Sequence, residues 1–410
     1  MSTFASKFIG FILSRIRSHS QETANSSGEN LPGSKSGADS HSVSLREAQL
    51  SDFDGVCAMN LRLGQGSDSL ENWQRLWRDN PALCGGRTPR IGWVLESSGD
   101  IVGFLGNIPL LCEFESKTLA AAATCRLAVE PAYRSSTHLL VTSFFRQKDV
   151  DLFLNTTATV AAGRIMNAFK AVQVPQPDYG KVLFWVLRPR KFMQTVLGKA
   201  GLSGTLTAVG SAAAALVLTF DMAFRHRKPK GRSGPYSVVE TSVNEIGPAF
   251  EDFWAERAKE TMRLISKRSA SIMHWHFNAP GSAKTARMLG CYSSDRLVGY
   301  AVVRHEPSAK DGVQRSLIAD LMVSPENELV VDTLLAAAHA TAKSAGSEVL
   351  EVLGFPRNIR ESLGKWQPYS RDYPACPYFY KARDRALEKK LAHEDAWYAC
   401  PFDGDATLWP

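Results

Sequence analysis

Apolar and polar positions along residues 43–188 alternate in blocks that predict short strands and amphipathic helices. The predicted order is strand, two helices, three strands, helix, strand, helix and strand. A turn at Ser98-Gly99-Asp100 joins two apolar runs, 91–96 and 101–107, and therefore predicts a β-hairpin. The run 182–187 is expected to close this unit as its last strand. The first half of the chain is thus predicted to form one α/β domain, residues 42–190.

The second half, residues 236–382, repeats this pattern. Residues 100–104 read Asp-Ile-Val-Gly-Phe and residues 296–300 read Arg-Leu-Val-Gly-Tyr, which marks the same hairpin in each half. A predicted strand, helix and strand follow at 314–323, 329–345 and 349–353. Self-similarity at this scale indicates an internal repeat, so we expect two tandem domains.

Three segments lie outside these domains. Residues 1–18 combine helically spaced Phe and Ile with Lys and Arg, which predicts a basic amphipathic helix. It is expected either to lie on an anionic membrane surface or to dock on protein. Residues 19–41 are almost devoid of apolar side chains and predict a disordered linker. Residues 383–410 are aromatic and acidic, and we expect this end to dock on the body near the cleft between the halves.

The connector 191–235 contains an uncharged run at 200–220 and a basic run at 225–232. The uncharged run is long enough to span a membrane, but its Ala, Gly, Ser and Thr content favours a helix packed between domains or lying at a membrane surface. The basic run is interpreted as a solvated linker, with anionic lipid as an alternative. Because aromatic and basic residues do not alternate there, no nucleic-acid partner is predicted.

Length and composition indicate the number of domains and the cellular compartment. A chain of 410 residues, 44% hydrophobic and 22% charged, is typical of a globular protein with two domains; its net charge is +7. Seven cysteines without a C-x-x-C pair indicate free thiols in a reducing compartment, hence a cytoplasmic protein, with the inner membrane face as a possible site of peripheral attachment. His274 and His276 would share a face of a strand, but no carboxylate or thiol cluster is near them, so no metal is predicted.

The most informative stretch is 127–145. An apolar strand ends at Val129, a turn with Pro131 carries Tyr133 and Arg134, and a polar loop then leads into an apolar helix. A strand, a tight loop and a helix N-terminus together form a typical anion site, because loop N–H groups and the helix dipole both favour negative charge.

The order Val-x-Pro-x-Tyr-Arg before a helix resembles the pyrophosphate-binding motif of the GNAT acyltransferases, and the element order over residues 43–188 resembles their fold. The resemblance implies an α/β (α+β) protein with two tandem GNAT-like domains, each a mixed, mostly antiparallel sheet flanked by helices. It implies acetyl-CoA or another acyl-CoA as substrate and an amine as acceptor.

The resemblance also implies which residues contact the coenzyme. They lie at the end of the strand, in the loop, at the helix start and after the next strand: Leu127, Ala128, Val129, Arg134, Ser135, Ser136, Thr137, His138, Leu139 and Asn155. Thr137 and Leu139 occupy positions where the family motif has glycine. Asn155 is also expected to cap the helix that follows it, which is compatible with a contact to the coenzyme.

No general acid is predicted, because the position where many GNAT enzymes carry a Tyr falls near Met166. Glu130 and His138 are weak candidates for the catalytic base, with a surface role as the alternative. In the second half the corresponding loop follows Val323 and carries two acids and no Arg, so that half is not expected to bind coenzyme. Asp320 is expected in a turn or cap and Trp275 in the core, with a place facing the cleft as the alternative for both.

Three functions stay open at this point. An N-acyltransferase with coenzyme in the first half is favoured. A GNAT-fold binding or scaffold protein without catalysis, at a membrane surface or in an envelope or polysaccharide pathway, is the main alternative, since the motif glycines and the Tyr are missing. An aminoacyl transferase on paired domains would need a basic cleft for tRNA, which the sequence does not indicate.

Overall fold

The computed structural model describes residues 42–409, except 67, 84–89, 200–203, 230–233, 261, 283, 307–311, 325–326 and 373–376. The predicted helix at 1–18 and linker at 19–41 lie outside the described residues.

Strands and helices alternate throughout the described residues. The strands are β1 (Ser44–Glu47), β2 (Gly92–Ser97), β3 (Asp100–Phe114), β4 (Lys117–Val129), β5 (Leu152–Asn155), β6 (Val172–Gln173), β7 (Lys181–Val186), β8 (Tyr236–Ser242), β9 (Ile265–Ser266), β10 (Thr285–Ser293), β11 (Arg296–Glu306), β12 (Arg315–Val323), β13 (Val349–Val352), β14 (Tyr369–Asp372) and β15 (Phe379–Ala382). The helices are α1 (Phe53–Arg62), α2 (Leu70–Trp77), α3 (Thr137–Phe145), α4 (Val160–Ala168), α5 (Pro189–Lys199), α6 (Gly204–Phe224), α7 (Pro248–Glu260), α8 (Ala270–Phe277), α9 (Glu328–Ser344), α10 (Arg357–Gly364) and α11 (Arg385–Leu391).

These strands form two mixed sheets. The first has the order β1-β2-β3-β4-β5-β15-β6, with β9 added beside β3, and the second has the order β14-β7-β13-β12-β11-β10-β8. In each sheet the long strands pair antiparallel, and one parallel pair, β4 with β5 or β12 with β13, interrupts the pattern. Both predicted hairpins are present, as β2–β3 and β10–β11.

The two halves exchange strands. The run at 182–187 was expected to close the first half, and that prediction is wrong: β7 pairs with β13 and β14 of the second sheet. In return β15, from the end of the chain, lies between β5 and β6 of the first sheet. Because β7 is buried along almost its whole length, its apolar pattern marks an interior strand but does not identify the sheet it joins.

The end of the chain packs between the sheets. We call residues 397–409 the C-terminal tail; Trp397, Cys400 and Leu408 in it are at most 1% exposed. The N–H group of Phe355 donates to the carbonyl of Ala399 at 2.8 Å. The tail therefore contributes side chains to the interior of both halves.

The uncharged run forms most of α6, a helix that packs on α5. Ala215 and Leu218 are buried against that layer. Among the described residues, no helix combines the length and the apolar character needed to cross a membrane.

His274 and His276 belong to helix α8 rather than to a strand, so they do not share a strand face. His276 is buried, and its Nε2 lies 2.8 Å from the hydroxyl of Thr407. Its role in packing the tail is therefore structural.

Candidate functional site

Strand β4 extends well beyond its partner β5. The two strands pair from Ala121 to Ala123, whereas the pairing of β4 with β3 continues to Val129. The register with β3 shifts at a bulge, where Arg126 has a φ of 52°. We call the gap between residues 124–129 and the end of β5 the first opening.

The backbone of β4 presents polar groups to the first opening. The N–H group of Glu130 donates to the carbonyl of Val102 in β3 at 2.9 Å. Since peptide groups alternate sides along a strand, those of Val129 and Leu127 face the opening. No side chain in the described part of the chain donates to the Leu127 carbonyl. An extended ligand can therefore pair with this edge as an added strand would.

The predicted loop is a 3₁₀ helix, Pro131–Ser136, that leads directly into α3. The N–H group of Tyr133 donates to the carbonyl of Glu130 at 2.9 Å, and that of Thr137 donates to Arg134. These N–H groups are thus engaged within the turn, whereas the sequence predicts a tight loop whose N–H groups point at a ligand. Without glycine the segment continues the helix instead of adopting left-handed backbone.

The loop side chains remain accessible. Arg134, Ser135 and His138 are exposed at the start of α3. The Arg134 guanidinium makes no ion pair or hydrogen bond with any described residue. The ring Nδ1 of His138 lies 2.7 Å from the carbonyl oxygen of Ser135. A cation, hydroxyl groups and a helix N-terminus are therefore brought together beside the first opening.

Asn155 ends β5 at the floor of the first opening. It is 8% exposed, and its Oδ1 accepts the N–H group of Thr157 at 3.3 Å. The following helix α4 is capped by Thr159, whose hydroxyl accepts from Ala162 at 3.2 Å. The expectation that Asn155 caps this helix is wrong, because its oxygen closes a turn three residues earlier.

Neither candidate base has a geometry that assigns catalysis. Glu130 accepts a hydrogen bond from Arg62 Nε at 2.7 Å, and Arg62 also donates to the Ile101 carbonyl at 2.7 Å. The ring of His138 is held by its contact with the carbonyl of Ser135, in the turn before α3. Met166 lies in α4 with 2% of its surface exposed, so it contributes to the core.

The bulge residue carries a charge that sequence reasoning missed. The Arg126 guanidinium pairs with Asp68 at 2.9 Å and lies 4.1 Å from the ring centroid of Trp409. Asp68 is nearly buried, with 3% of its side chain exposed. The available signal in the sequence was a cation directly before the apolar end of the strand, Leu127 to Val129.

The tail also reaches the end of β5. Asp405 accepts from the hydroxyls of Thr156 at 2.8 Å and Thr157 at 2.9 Å. Burial raises the pKa of this carboxyl, and its hydrogen bonds oppose the shift. The C-terminal tail thus forms one wall of the first opening, which its acidic and aromatic composition alone did not locate.

The second half repeats this backbone arrangement. Strand β12 pairs with β13 from Arg315 to Ile318 but follows β11 to Val323, with a bulge opposite Val302 and Val303. The N–H group of Ser324 donates to Val298 at 2.9 Å, as Glu130 does to Val102. This register makes Asp320 equivalent to Arg126 and Leu321 equivalent to Leu127. We call the gap beside residues 319–323 the second opening.

Protein side chains fill the second opening. Asp320 pairs with Arg268 at 2.8 Å, and both side chains are 0% exposed. The Tyr300 hydroxyl donates to Asp320 at 2.7 Å. The hydroxyl of Tyr398, from the C-terminal tail, donates to the carbonyl of Leu321. Among the described residues, the Leu321 carbonyl that faces the second opening therefore has a hydrogen-bond partner, whereas the equivalent Leu127 carbonyl has none.

Among the described residues, no group of three or more His, Cys, Asp or Glu side chains is arranged to hold a metal ion. Trp275 packs in the core of the first half, and its indole N–H donates to the carbonyl of Arg75 at 2.7 Å. Asp320 lies in a buried ion pair rather than in the turn expected from the sequence.

No family model matches the sequence, and no curated protein matches it. Solved structures do match. A probable N-acyltransferase from Enterococcus faecalis V583 shares 9% identity over 83% of this chain and 72% of that chain, with a TM-score of 0.53. A GCN5-related N-acetyltransferase from Anabaena variabilis shares 11% identity over 84% of this chain and 73% of that chain, with a TM-score of 0.54.

These likenesses show the fold. The chain has a GNAT-like arrangement of two mixed sheets flanked by helices, so the predicted fold class is confirmed.

Proposed function

We propose that the protein is an N-acyltransferase that binds acyl-CoA in the first opening. The observation that carries this proposal is the unpaired edge of β4 beyond Ala123, beside the exposed Arg134. The structural neighbours, which are named as N-acyl- and N-acetyltransferases, support this class of reaction. The acyl group is acetyl or longer, and the acceptor is an amine.

In this proposal the chain binds and orients the reactants. The pantetheine arm pairs with the peptide groups of Leu127 and Val129, and Arg134 neutralises the pyrophosphate together with the hydroxyls at the start of α3. The N–H group of Val129 polarises the thioester carbonyl. The amine nitrogen forms the new C–N bond with the thioester carbon, and the C–S bond breaks. The amine loses a proton to solvent. The thiolate takes up a proton, and the coenzyme leaves as a thiol.

The test is calorimetric titration of acetyl-CoA into the full chain and two charge-reversed variants. Arg134→Glu is expected to weaken binding at least tenfold, because it places an anion beside the pyrophosphate. The matched control is Arg146→Glu, since Arg146 is exposed at the opposite end of the same helix. Equal loss in both variants, or no binding to the wild type at millimolar acetyl-CoA, would contradict the coenzyme assignment.

A second candidate is a GNAT-fold binding protein without catalysis. The engaged N–H groups of the 3₁₀ turn favour it, because they must leave their partners before they can bind phosphate. Replacing Thr137 and Leu139 by Gly restores the family pattern and is expected to tighten acetyl-CoA binding if the turn is the obstacle. A variant that still binds nothing would favour the binding protein over the enzyme.

A further inference from the structure

Helix α6 is apolar on its outward face as well as on the face that packs against the protein. Leu216, Val217, Phe220 and Phe224 are 73%, 49%, 70% and 73% exposed. Their spacing of one, three and four residues places them on one stripe of the helix. The rings of Phe220 and Phe224 are parallel within 9°, with centroids 6.3 Å apart. We call these four side chains the α6 stripe.

Single exposed apolar residues are normal, but a contiguous stripe with two phenylalanines marks an interaction surface. The buried side of α6, which includes Ala215 and Leu218, already packs on the protein body. The side chains of the α6 stripe therefore stay exposed to solvent in the folded protein, where a partner can contact them.

Charge indicates the chemistry of that partner. Asp221 is the acid of α6, and it is turned inward: its side chain is 11% exposed and accepts from Arg227 at 2.8 Å and from the Tyr369 hydroxyl at 2.6 Å. His226 and Lys228 follow the helix and are exposed. The stripe thus ends in a basic segment and carries no outward acid.

We propose that the α6 stripe inserts into the surface of an anionic lipid bilayer. The helix lies in the plane of the interface, the phenylalanines enter the acyl boundary, and the exposed Lys228 contacts the headgroups. No spanning is implied, since among the described residues no helix is suited to cross a membrane.

Other occupants fit the charge less well. The chain's own residues 1–18 carry Lys7, Arg15 and Arg17, so docking them on α6 would bring like charges together. Residues 1–18 and the α6 stripe with Lys228 both combine apolar and basic side chains, so both can bind to one anionic surface. This proposal is independent of acyl transfer, because the stripe lies outside the first opening.

The test is co-sedimentation of the full chain with phosphatidylcholine vesicles, with and without 30% phosphatidylserine, at about 0.1 M salt. Wild type is expected to bind the anionic vesicles and to release as salt is raised. The variant Phe220→Ser/Phe224→Ser is expected to lose at least tenfold in vesicle affinity. The matched control Leu61→Ser/Met262→Ser removes two other exposed apolar side chains, 63% and 71% exposed, and should bind within twofold of wild type.

Three results would overturn the proposal. The wild type could fail to bind anionic vesicles. The stripe variant could bind as the wild type does, which would assign binding to another segment. Finally, light scattering could reveal a dimer that the stripe variant dissociates, without vesicle binding, which would assign the stripe to a second copy. Acetyl-CoA titration of the stripe variant shows separately that the coenzyme site is intact.

Discussion

The first and second openings share a backbone but differ in their contents. In both, a bulged strand continues past its parallel neighbour, and the same ladder hydrogen bond follows. At the equivalent position, which lies in the bulge of β4 and directly after the bulge of β12, the first half has Arg126, 24% exposed, and the second has Asp320, 0% exposed. In the described part of the chain, the edge of β4 beyond Ala123 has no strand beside it in the first opening, whereas the second opening is closed by Tyr398 and a buried ion pair.

This difference shows that the same backbone arrangement can persist where side chains of the protein fill the space for a ligand. A diverging pair of strands leaves polar groups that must be satisfied by something. In the second half the protein itself supplies the partner, through the C-terminal tail. In the first half, we propose, a coenzyme supplies it. The tail thus contacts both openings: it forms a wall of the first opening through Asp405 and closes the second through Tyr398.

The largest expected effect is on the closed opening. Arg268→Ala leaves Asp320 buried without its cation, and we expect the free energy of unfolding to fall by about 3–5 kcal/mol. The equivalent change in the first half, Arg126→Ala, is expected to cost only about 1–2 kcal/mol, because Asp68 keeps its hydrogen bonds from Asn72 and Ser69. Urea unfolding of both variants measures the difference; equal losses would show that the two bulge charges have the same role.

A smaller, pH-dependent effect is expected from Asp403 in the tail. Burial raises the pKa of this carboxyl to about 6, so the folded state binds its proton more tightly than the unfolded chain does. Its contribution to stability is therefore complete below about pH 4 and is lost as the pH rises through about 6. On the order of 2 kcal/mol is at stake.

The measurement is the unfolding free energy of wild type and Asp403→Asn at pH 4 and pH 7. The asparagine does not titrate, so the stability of the variant relative to wild type should increase from pH 4 to pH 7. A difference between the two proteins that is constant over this range would contradict the raised pKa.

Tyr398→Phe tests the closure itself. The substitution removes the hydroxyl that donates to Leu321 and leaves a buried carbonyl without this partner, at a cost of about 1–2 kcal/mol in unfolding free energy. Acetyl-CoA stoichiometry should stay at one per chain, because the second half lacks the cation that Arg134 provides. A second bound coenzyme would break the comparison by showing that Tyr398 alone closes the second opening.

The sequence predicted the elements far better than their assembly. Periodicity located β2, β3, β10 and β11 because each combines a buried face with a turn of two or three residues. It assigned β7 to the wrong sheet, since burial on both faces leaves no mark of the partner strand. It also predicted a tight polar loop with N–H groups directed at a ligand where the structure has a 3₁₀ helix, because serine and threonine permit both.

The candidate site divides in the same way. Leu127, Val129 and Arg134 are local features of a strand end and a loop, so a linear pattern could predict them. The contact of Asp405 with Thr156 joins positions 249 residues apart in sequence, and the contact of Arg126 with Trp409 spans a still longer stretch, so only folding brings them together. Chain-end segments that complete a site leave no periodic signal.

The smallest expected effect concerns the floor of the first opening. Asn155→Ala removes the acceptor for the Thr157 N–H group, and we expect the unfolding free energy to fall by about 1 kcal/mol. The equivalent position in the second half is Val352, which has no polar side chain to lose. If Asn155 also contacts coenzyme, Asn155→Ala should weaken acetyl-CoA binding severalfold, whereas Thr159→Ala, which removes the cap of α4, should lower stability alone. Unchanged affinity in Asn155→Ala would restrict this residue to closing the turn, and the polar contrast between the two openings would then rest on the backbone and the two bulge charges.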